Sequence, residues 1–489
     1  MAASTSATER LTRAALGRLP AEVARPRVPL DERRVGIVHL GPGAFHRAHQ
    51  AVYTEDAMAA AGDPGWGVCG ITQRGRDVVA RLAPQDGLYT ALTVGGAGEA
   101  ESARVVGSLV ELLCAPDDEA AAAARIADPE VRVLTLTVTE KGYRVGGSRE
   151  PPTAIDRLVA GLRLRRARGG GPLAVLSCDN LPGNGAVVRR LVEASCDGSG
   201  DAELRAWVAE RVAFPSTMVD RIVPATRPAD RDRVAALLGV RDEGAVVAEP
   251  FGRWVIEDHF PAGRPAWEAA GADLVADVTP HETAKLRLLN ATHSALAYLG
   301  GLAGADTIDA ALALPELRAF VERLTAEDML PTLRPGPGLD PADYRTRVLR
   351  RLANPALRHT TRQVATDGTA KLPARLVAPL REQLAAGRRP RWLVLALAGW
   401  MRYVAAERDD TGAPLPLDDP RADALGEVRA AAGAPGAVVD ALLRLDGVFG
   451  RDWPDAAESA ELRAALTADL TALTRHGVRD ALRAETGQA

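Results

Sequence analysis

Val35-Gly36-Ile37-Val38-His39-Leu40-Gly41-Pro42-Gly43-Ala44-Phe45-His46 is the stretch that decides how this chain is read. Its first six residues are mostly apolar and short enough for a buried strand, and Gly41-Pro42-Gly43 stops them. From Ala44 the pattern predicts an amphipathic helix to Ala61, ended at Gly62-Asp63-Pro64-Gly65. Strand, glycine turn, helix and stop make one parallel α/β unit, and similar units follow. Strands are expected at Trp66 to Ile71, Val131 to Thr139 and Leu173 to Ser177. A helix is expected over Pro152 to Arg168, where Ile155, Leu158, Val159 and Leu162 form one stripe. Right-handed crossovers turn such units into an open twisted sheet. Met1 to Leu30 reads as a loosely ordered, partly helical lead-in.

Beyond about residue 280 the apolar positions become helical almost everywhere. Leu286 to Ala303, Leu317 to Leu324, Tyr344 to Leu352, Leu372 to Leu384, Trp392 to Ala405 and the tail from Ala456 all predict helices, with Pro331 to Pro341 and Gly412 to Pro420 as loops. The expected architecture is therefore α/β. An N-terminal domain built on an open, twisted parallel sheet spans residues 1–280, with 1–30 as lead-in, and a mainly α-helical domain spans 281–489. Two domains also suit a chain of 489 residues.

Composition narrows the function. A net charge of -4 with 25% charged residues offers nothing global to a phosphate backbone, so no nucleic-acid partner is expected. No stretch approaches the roughly 20 apolar residues of a membrane span, so no membrane partner is expected either. Cys69, Cys114, Cys178 and Cys196 have no metal-ligand spacing and read as reduced, buried thiols of a cytoplasmic protein; no metal is expected. Oligomeric state is left open, a monomer included. Lysine is rare: only Lys141, Lys285 and Lys371 stand against 60 Lys plus Arg in all. Arg replaces Lys on solvated surfaces but cannot shed a proton near neutral pH, so each surviving Lys is a candidate for chemistry. Chance survival is the plainer alternative. The four asparagines Asn180, Asn184, Asn290 and Asn354 all lie in the segments considered next.

The first turn fits a dinucleotide. Glycines at i and i+2 let the backbone approach a pyrophosphate, which the helix amides then face. Gly41, Gly43, Phe45 and His46 are the candidates there, with His46 where a third glycine is usual; an ordinary strand-to-helix turn is the alternative. No acidic residue ends the second strand. Arg74 stands nearby, which suits the extra phosphate of NADP, and the cofactor is expected to be NAD or NADP. Glu140-Lys141, at the end of the third expected strand, join the cofactor-binding candidates.

Pro280 to His293 carries the chemistry. In a helix of 3.6 residues per turn, Glu282, Lys285, Leu289, Asn290 and His293 fall broadly along one face. Oxidation of a secondary alcohol needs a base for the hydroxyl proton and a donor for the oxygen left behind. Lys285 serves as base if burial and a neighbouring cation lower its pKa, with Arg287 and His293 near in sequence. Asn290 serves as donor, His293 orients the substrate, and Asn180 supplies a second donor from the end of the fourth expected strand. A solvated polar face is the alternative, but Leu286, Leu288 and Leu289 predict partial burial.

Taken together, Gly41 to His49, Thr137 to Tyr143, Ser177-Cys178-Asp179-Asn180, Phe214 to Ile222, Glu257-Asp258-His259-Phe260 and Lys285 to His293 resemble the mannitol dehydrogenase family of long-chain, metal-independent polyol dehydrogenases. The resemblance spans roughly residues 35–375 in motif order. It implies a Rossmann-type domain, a helical domain and a site in the cleft between them. It also implies Lys285 as general base, Asn180 and Asn290 as oxyanion donors, His293 as substrate-binding group and Glu282 as proton relay. Asp220, Asn354, Arg362 and Lys371 are the implied substrate-binding positions, although Gln363 stands where some mannitol 2-dehydrogenases have Arg. The expected reaction is NAD(P)-linked interconversion of a polyol and its ketose, mannitol and fructose first. Reduction of fructuronate to mannonate, a phosphorylated hexitol as in mannitol-1-phosphate 5-dehydrogenase, and a non-catalytic nucleotide-binding sensor are the alternatives. The partner is a small polyol or sugar-acid substrate.

Overall fold

The computed structural model describes residues 9–95, 101–138, 142–146, 151–430, 433–449 and 457–487. The chain forms two compact units, Met1–Thr279 and Pro280–Ala489.

In the first unit the strands are β1 Val35–Leu40, β2 Gly67–Thr72, β3 Tyr89–Thr93, β4 Ser102–Val106, β5 Leu109–Cys114, β6 Val133–Leu136, β7 Leu173–Ser177, β8 Val212–Ala213, β9 Thr217–Asp220, β10 Val246–Ala248, β11 Arg253–Glu257 and β12 Asp273–Val275. Six of them form an all-parallel sheet in the order β5-β2-β1-β6-β7-β8. Counted within that sheet the order is 3-2-1-4-5-6, the arrangement of dinucleotide-binding folds, and it reverses between β1 and β6. Two three-stranded sheets, β10-β3-β4 and β12-β11-β9, complete the unit.

The segment after the first glycine turn is not one amphipathic helix. It divides at His49 (φ -128°, ψ -89°) into Ala44–Ala48 and Gln50–Ala61, and the second piece is buried on nearly all sides, Gln50, Thr54 and Glu55 included. Glu55 accepts two hydrogen bonds from Arg33 at 2.8 Å and one from the Gly107 amide at 3.0 Å, so polar residues inside this helix are paired. The lead-in is packed where it is described, with Leu11, Ala15, Leu19, Val23 and Val28 buried around a short 3-10 turn, Arg13–Arg18. Strand β5 escaped the sequence pattern because it is an edge strand carrying Glu111, whose charge is met by Arg125 at 2.5 Å. The third expected strand ends at Leu136, short of Thr139, which lies outside the described residues.

Among its described residues the second unit has no strand. Its centre is the helix Ala291–Leu302, buried at almost every position, against which Ile308–Ala313, Thr361–Ala365 and Arg391–Ala405 pack. Asp328 accepts the Trp392 and Leu393 amide protons, both at 2.7 Å, and so caps Arg391–Ala405. The helices expected at Leu286 to Ala303, Leu317 to Leu324 and Leu372 to Leu384 exist but are irregular. Each adjoins or contains a π-helical turn, at Lys285–Asn290, Leu324–Met329 and Pro373–Val377. Among the described residues no helix is long and apolar enough to cross a membrane.

Candidate active site

The glycine turn sits at the carboxyl end of β1, where the strand order reverses. Gly41 has φ +91°, and a Cβ there would lie 2.3 Å from the Thr137 carbonyl oxygen, so only glycine fits. Gly43 has an ordinary φ of -71° and is exposed, and a Cβ on it would meet nothing nearer than Gly41 O at 3.8 Å. One glycine is thus required by the chain itself, and the other leaves the turn open for a ligand to approach. Beneath the turn, His39 bonds Thr135 Oγ1 through Nδ1 at 2.7 Å, and Thr137 Oγ1 and the Gly41 carbonyl through Nε2 at 2.9 and 3.1 Å. His46, in place of a third glycine, stacks on His39 with ring centroids 3.5 Å apart. Burial pushes the His39 pKa down to about 3, against the hydrogen bond to Gly41, and burial likewise holds His46 well below the usual histidine range. The turn therefore rests on two neutral imidazoles. Phe45 is half-buried and stacks on His49 at 5.1 Å.

These residues fit a dinucleotide. Replacing Gly41 by alanine is expected to raise KM for the nicotinamide cofactor about tenfold or more, because the left-handed backbone and the clash with Thr137 each cost on the order of 1–3 kcal/mol. Cofactor titration checks this, and an unchanged affinity would show that the turn is not a binding element.

Other expected cofactor positions are less defined. Arg74 is exposed beyond β2, while its neighbour Gln73 is held by Arg157, which donates to its carbonyl and side-chain oxygens at 3.1 and 3.0 Å. Glu140 and Lys141 lie outside the described residues. At the end of β7, Asp179 accepts the Val138 amide proton and the Tyr143 hydroxyl proton, both at 2.7 Å, tying β6 and β7 together. Asn180 follows, exposed. Asn184 clamps this turn to β9 by accepting from the Thr217 amide at 3.0 Å and donating to the Thr217 carbonyl at 2.8 Å. Asp220, the last residue of β9, is buried opposite Arg253 of β11. The sequence quotes Asp179 and Asn184 but gives no sign of these clamps, because their partners lie on other strands.

In the second unit, Lys285, Asn290 and His293 are all buried, and Glu282 is half-buried one turn earlier. The regular helix expected here is corrected: Lys285–Asn290 is a π turn, closed by the Ala291 amide donating to the Leu286 carbonyl. At 3.6 residues per turn Asn290 would fall more than a right angle away from Lys285. Bonding from i to i+5 takes about one more residue into the turn and brings positions five apart closer to one side than a regular helix would. Arg287, near Lys285 in sequence, has partners of its own. Its guanidinium grips Glu382 at 2.6 and 2.7 Å and the Thr332 carbonyl at 2.8 Å.

A second π turn supports the first. Arg375, within Pro373–Val377, donates through Nη1 to Ser294 Oγ at 3.0 Å and to the Asn290 carbonyl at 3.4 Å. His293 is held well below the usual histidine range, by burial first and then by the neighbouring His359 ring and the charges of Arg375, Arg351 and Lys371. Lys371 donates to the Thr366 carbonyl at 2.6 Å. Arg362 is exposed, with its charge felt by Tyr403. Asn354 uses its side-chain oxygen to cap Pro355–Leu357, accepting from the Ala356 amide at 3.0 Å. Lys285, Asn290, His293 and Lys371 thus share one helical unit with Arg375 and His359, which sequence reasoning left without a role. Among the described residues no group of three or more His, Cys, Asp or Glu is placed to hold a metal ion.

Comparison with known proteins agrees with this architecture. Residues 35–269 match the model of the mannitol dehydrogenase Rossmann domain, and 277–474 that of the mannitol dehydrogenase C-terminal domain. Mannitol 2-dehydrogenase of Cereibacter sphaeroides is 40% identical over 481 residues, covering 94% of this chain and 98% of its own. D-mannonate oxidoreductase of Escherichia coli is 39% identical over 485 residues, covering 94% and 98%. The ternary complex of Pseudomonas fluorescens mannitol 2-dehydrogenase with NAD and D-mannitol superposes with a TM-score of 0.88 at 35% identity, over 98% of this chain and 100% of that one. With a Rossmann sheet of the right strand order followed by the matching helical domain, the chain belongs to the mannitol dehydrogenase family and is an oxidoreductase acting on CH–OH groups.

Proposed function

We propose that this protein interconverts a polyol and its ketose with NAD or NADP, mannitol and fructose being the first pair to test. The observation that carries the reading is the π turn Lys285–Asn290, a local departure from the regular helix that begins and ends on a buried lysine and a buried asparagine, with buried His293 following. A nicotinamide dinucleotide, when bound, supplies the hydride acceptor or donor. Gly41, Gly43, Phe45 and His46 hold its pyrophosphate end, with Glu140 and Lys141 assigned to it on sequence alone. Exposed Arg74 and the lack of an acidic residue closing β2 favour room for a 2′-phosphate.

In this mechanism Lys285, as the neutral amine, accepts the proton of the reacting hydroxyl. Asn290 donates its amide N–H to the same oxygen as negative charge develops, and Asn180 is assigned as second donor by the family resemblance. Glu282, half-buried on the turn before Lys285, relays the proton outward. His293, a neutral imidazole, hydrogen-bonds a neighbouring hydroxyl. Asp220, Lys371, Arg362 and Asn354 take the remainder of the substrate, Lys371 with the firmest support because its charge acts on His293. The four thiols, all buried and free, suit a cytoplasmic location.

A second reading has a specific observation behind it. Arg351, Lys371 and Arg375 all place positive charge around His293, which suits a carboxylate-bearing substrate such as mannonate. Purified protein is to be assayed for cofactor reduction with mannitol, arabinitol, mannonate and mannitol 1-phosphate, each with NAD and NADP. We expect mannitol to exceed mannonate in kcat/KM by about tenfold or more, the scale of one good polar contact. The reverse order would establish the sugar acid as substrate, and no turnover with any of the four would defeat the polyol reading.

A further inference from the structure

We propose that His359 is a second hydroxyl-binding imidazole, paired with His293, and that the two together seat a vicinal diol of the substrate beside Lys285. The inference rests on the polyol reading above and adds a residue to which that reading gives no role.

The backbone presents His359 at a cost. Arg358, just before it, has φ +46°, and the non-glycine residues with positive φ among those described are Asp86, Arg358 and Asp367. Two of these three therefore bracket the short stretch from His359 to Thr366, whose last carbonyl accepts from Lys371. Such conformations persist where the surrounding structure imposes them, and they concentrate at ligand-binding positions. Here the surroundings do impose it: the His359 carbonyl accepts the Ile308 amide proton at 2.9 Å, and Thr307 bridges Thr360.

The ring is equally placed. Its centroid lies 4.7 Å from that of His293 with the planes at 78°, an edge-to-face contact. His293 Nε2 and His359 Nδ1 are both buried, and neither makes a hydrogen bond among the described residues. A buried polar atom left unmatched is costly, and two on adjoining rings in a well-packed helical unit point to a ligand carrying neighbouring hydroxyls. Burial, then the charge of Lys371, lowers the His359 pKa to about 4, so the ring is neutral at physiological pH. A neutral imidazole has one N–H and one lone pair, and a hydroxyl both donates and accepts, so each ring nitrogen can be satisfied whichever tautomer is present. Lysine or arginine in this place would only donate.

The test compares wild type, His359→Ala and His359→Gln with mannitol and with monodeoxy hexitols lacking one hydroxyl at a time. His359→Ala is expected to raise the mannitol KM about tenfold with kcat changed less than about threefold, since seating a remote hydroxyl acts alike on ground and transition state. Glutamine, which keeps a donor and an acceptor, is expected to recover most of the loss. With one deoxy substrate the penalty of His359→Ala is expected to shrink to within about twofold, because the partner hydroxyl is already gone. Unchanged KM for mannitol overturns the pairing, as does an equal penalty on every deoxy substrate, which would mark His359 as a packing residue. Cofactor affinity, read separately by titration, is expected to stay unchanged. Should wild type turn over none of these compounds, the polyol reading fails by itself, and calorimetric binding of mannitol and mannonate to wild type and His359→Ala then decides the pairing: equal affinity or no binding overturns it.

Discussion

Lys285→Ala is expected to lower kcat by about 10²–10⁴-fold, the range that a positioned proton acceptor contributes. Lys285 is buried at the first position of the π turn, so its removal takes away the amine without opening a surface that water fills freely. Arg287, the nearest cation in sequence, is paired with Glu382 and the Thr332 carbonyl. A guanidinium would in any case not accept a proton near neutral pH. Cofactor affinity is expected to stay within about twofold, because the glycine turn belongs to the other compact unit. Steady-state kinetics together with a cofactor titration separate the two quantities. A variant retaining more than a tenth of wild-type kcat would remove Lys285 from the role of base.

Asn290→Ala comes next in size, with an expected loss of about 10²–10³-fold in kcat, the effect of deleting one donor to a developing oxyanion. Asn290 closes the π turn that Lys285 opens, its backbone carbonyl accepts from Arg375 of a second π turn, and its side chain is buried, so the backbone that carries the carboxamide is held before substrate arrives. Pre-set donors lower a barrier most because they need no reorganisation as charge appears. KM for the polyol is expected to change less than about fivefold, since the bond to Asn290 strengthens chiefly in the transition state. A large rise in KM with kcat unchanged would instead make Asn290 a ground-state binding group.

How much of this was legible in the sequence varied with the kind of contact involved. Lys285, Asn290 and His293 stood out because rare residue types gathered within nine positions of a helical pattern, which is local information. Their true relation was not legible, since a π turn follows from packing that no spacing rule encodes, here the Arg375 bridge between two irregular helices. His359 carries no signal of a role in the sequence; only the fold brings it 4.7 Å from His293, 66 positions away.

By itself the sequence determined the element types near the site: strand β1, the glycine turn after it, strand β7 residue for residue, and the helical second half. These depend on short-range periodicity and on the backbone freedom of glycine, which operate within a few residues. Tertiary structure alone decided the strand order with β5 at the edge, the burial of the lead-in, the break at His49, the stacked neutral imidazoles under the turn and the π register of the Lys285 helix. Each of these is settled by burial and by hydrogen bonds between residues far apart in the chain, and such pairings exist only once the chain has closed on itself.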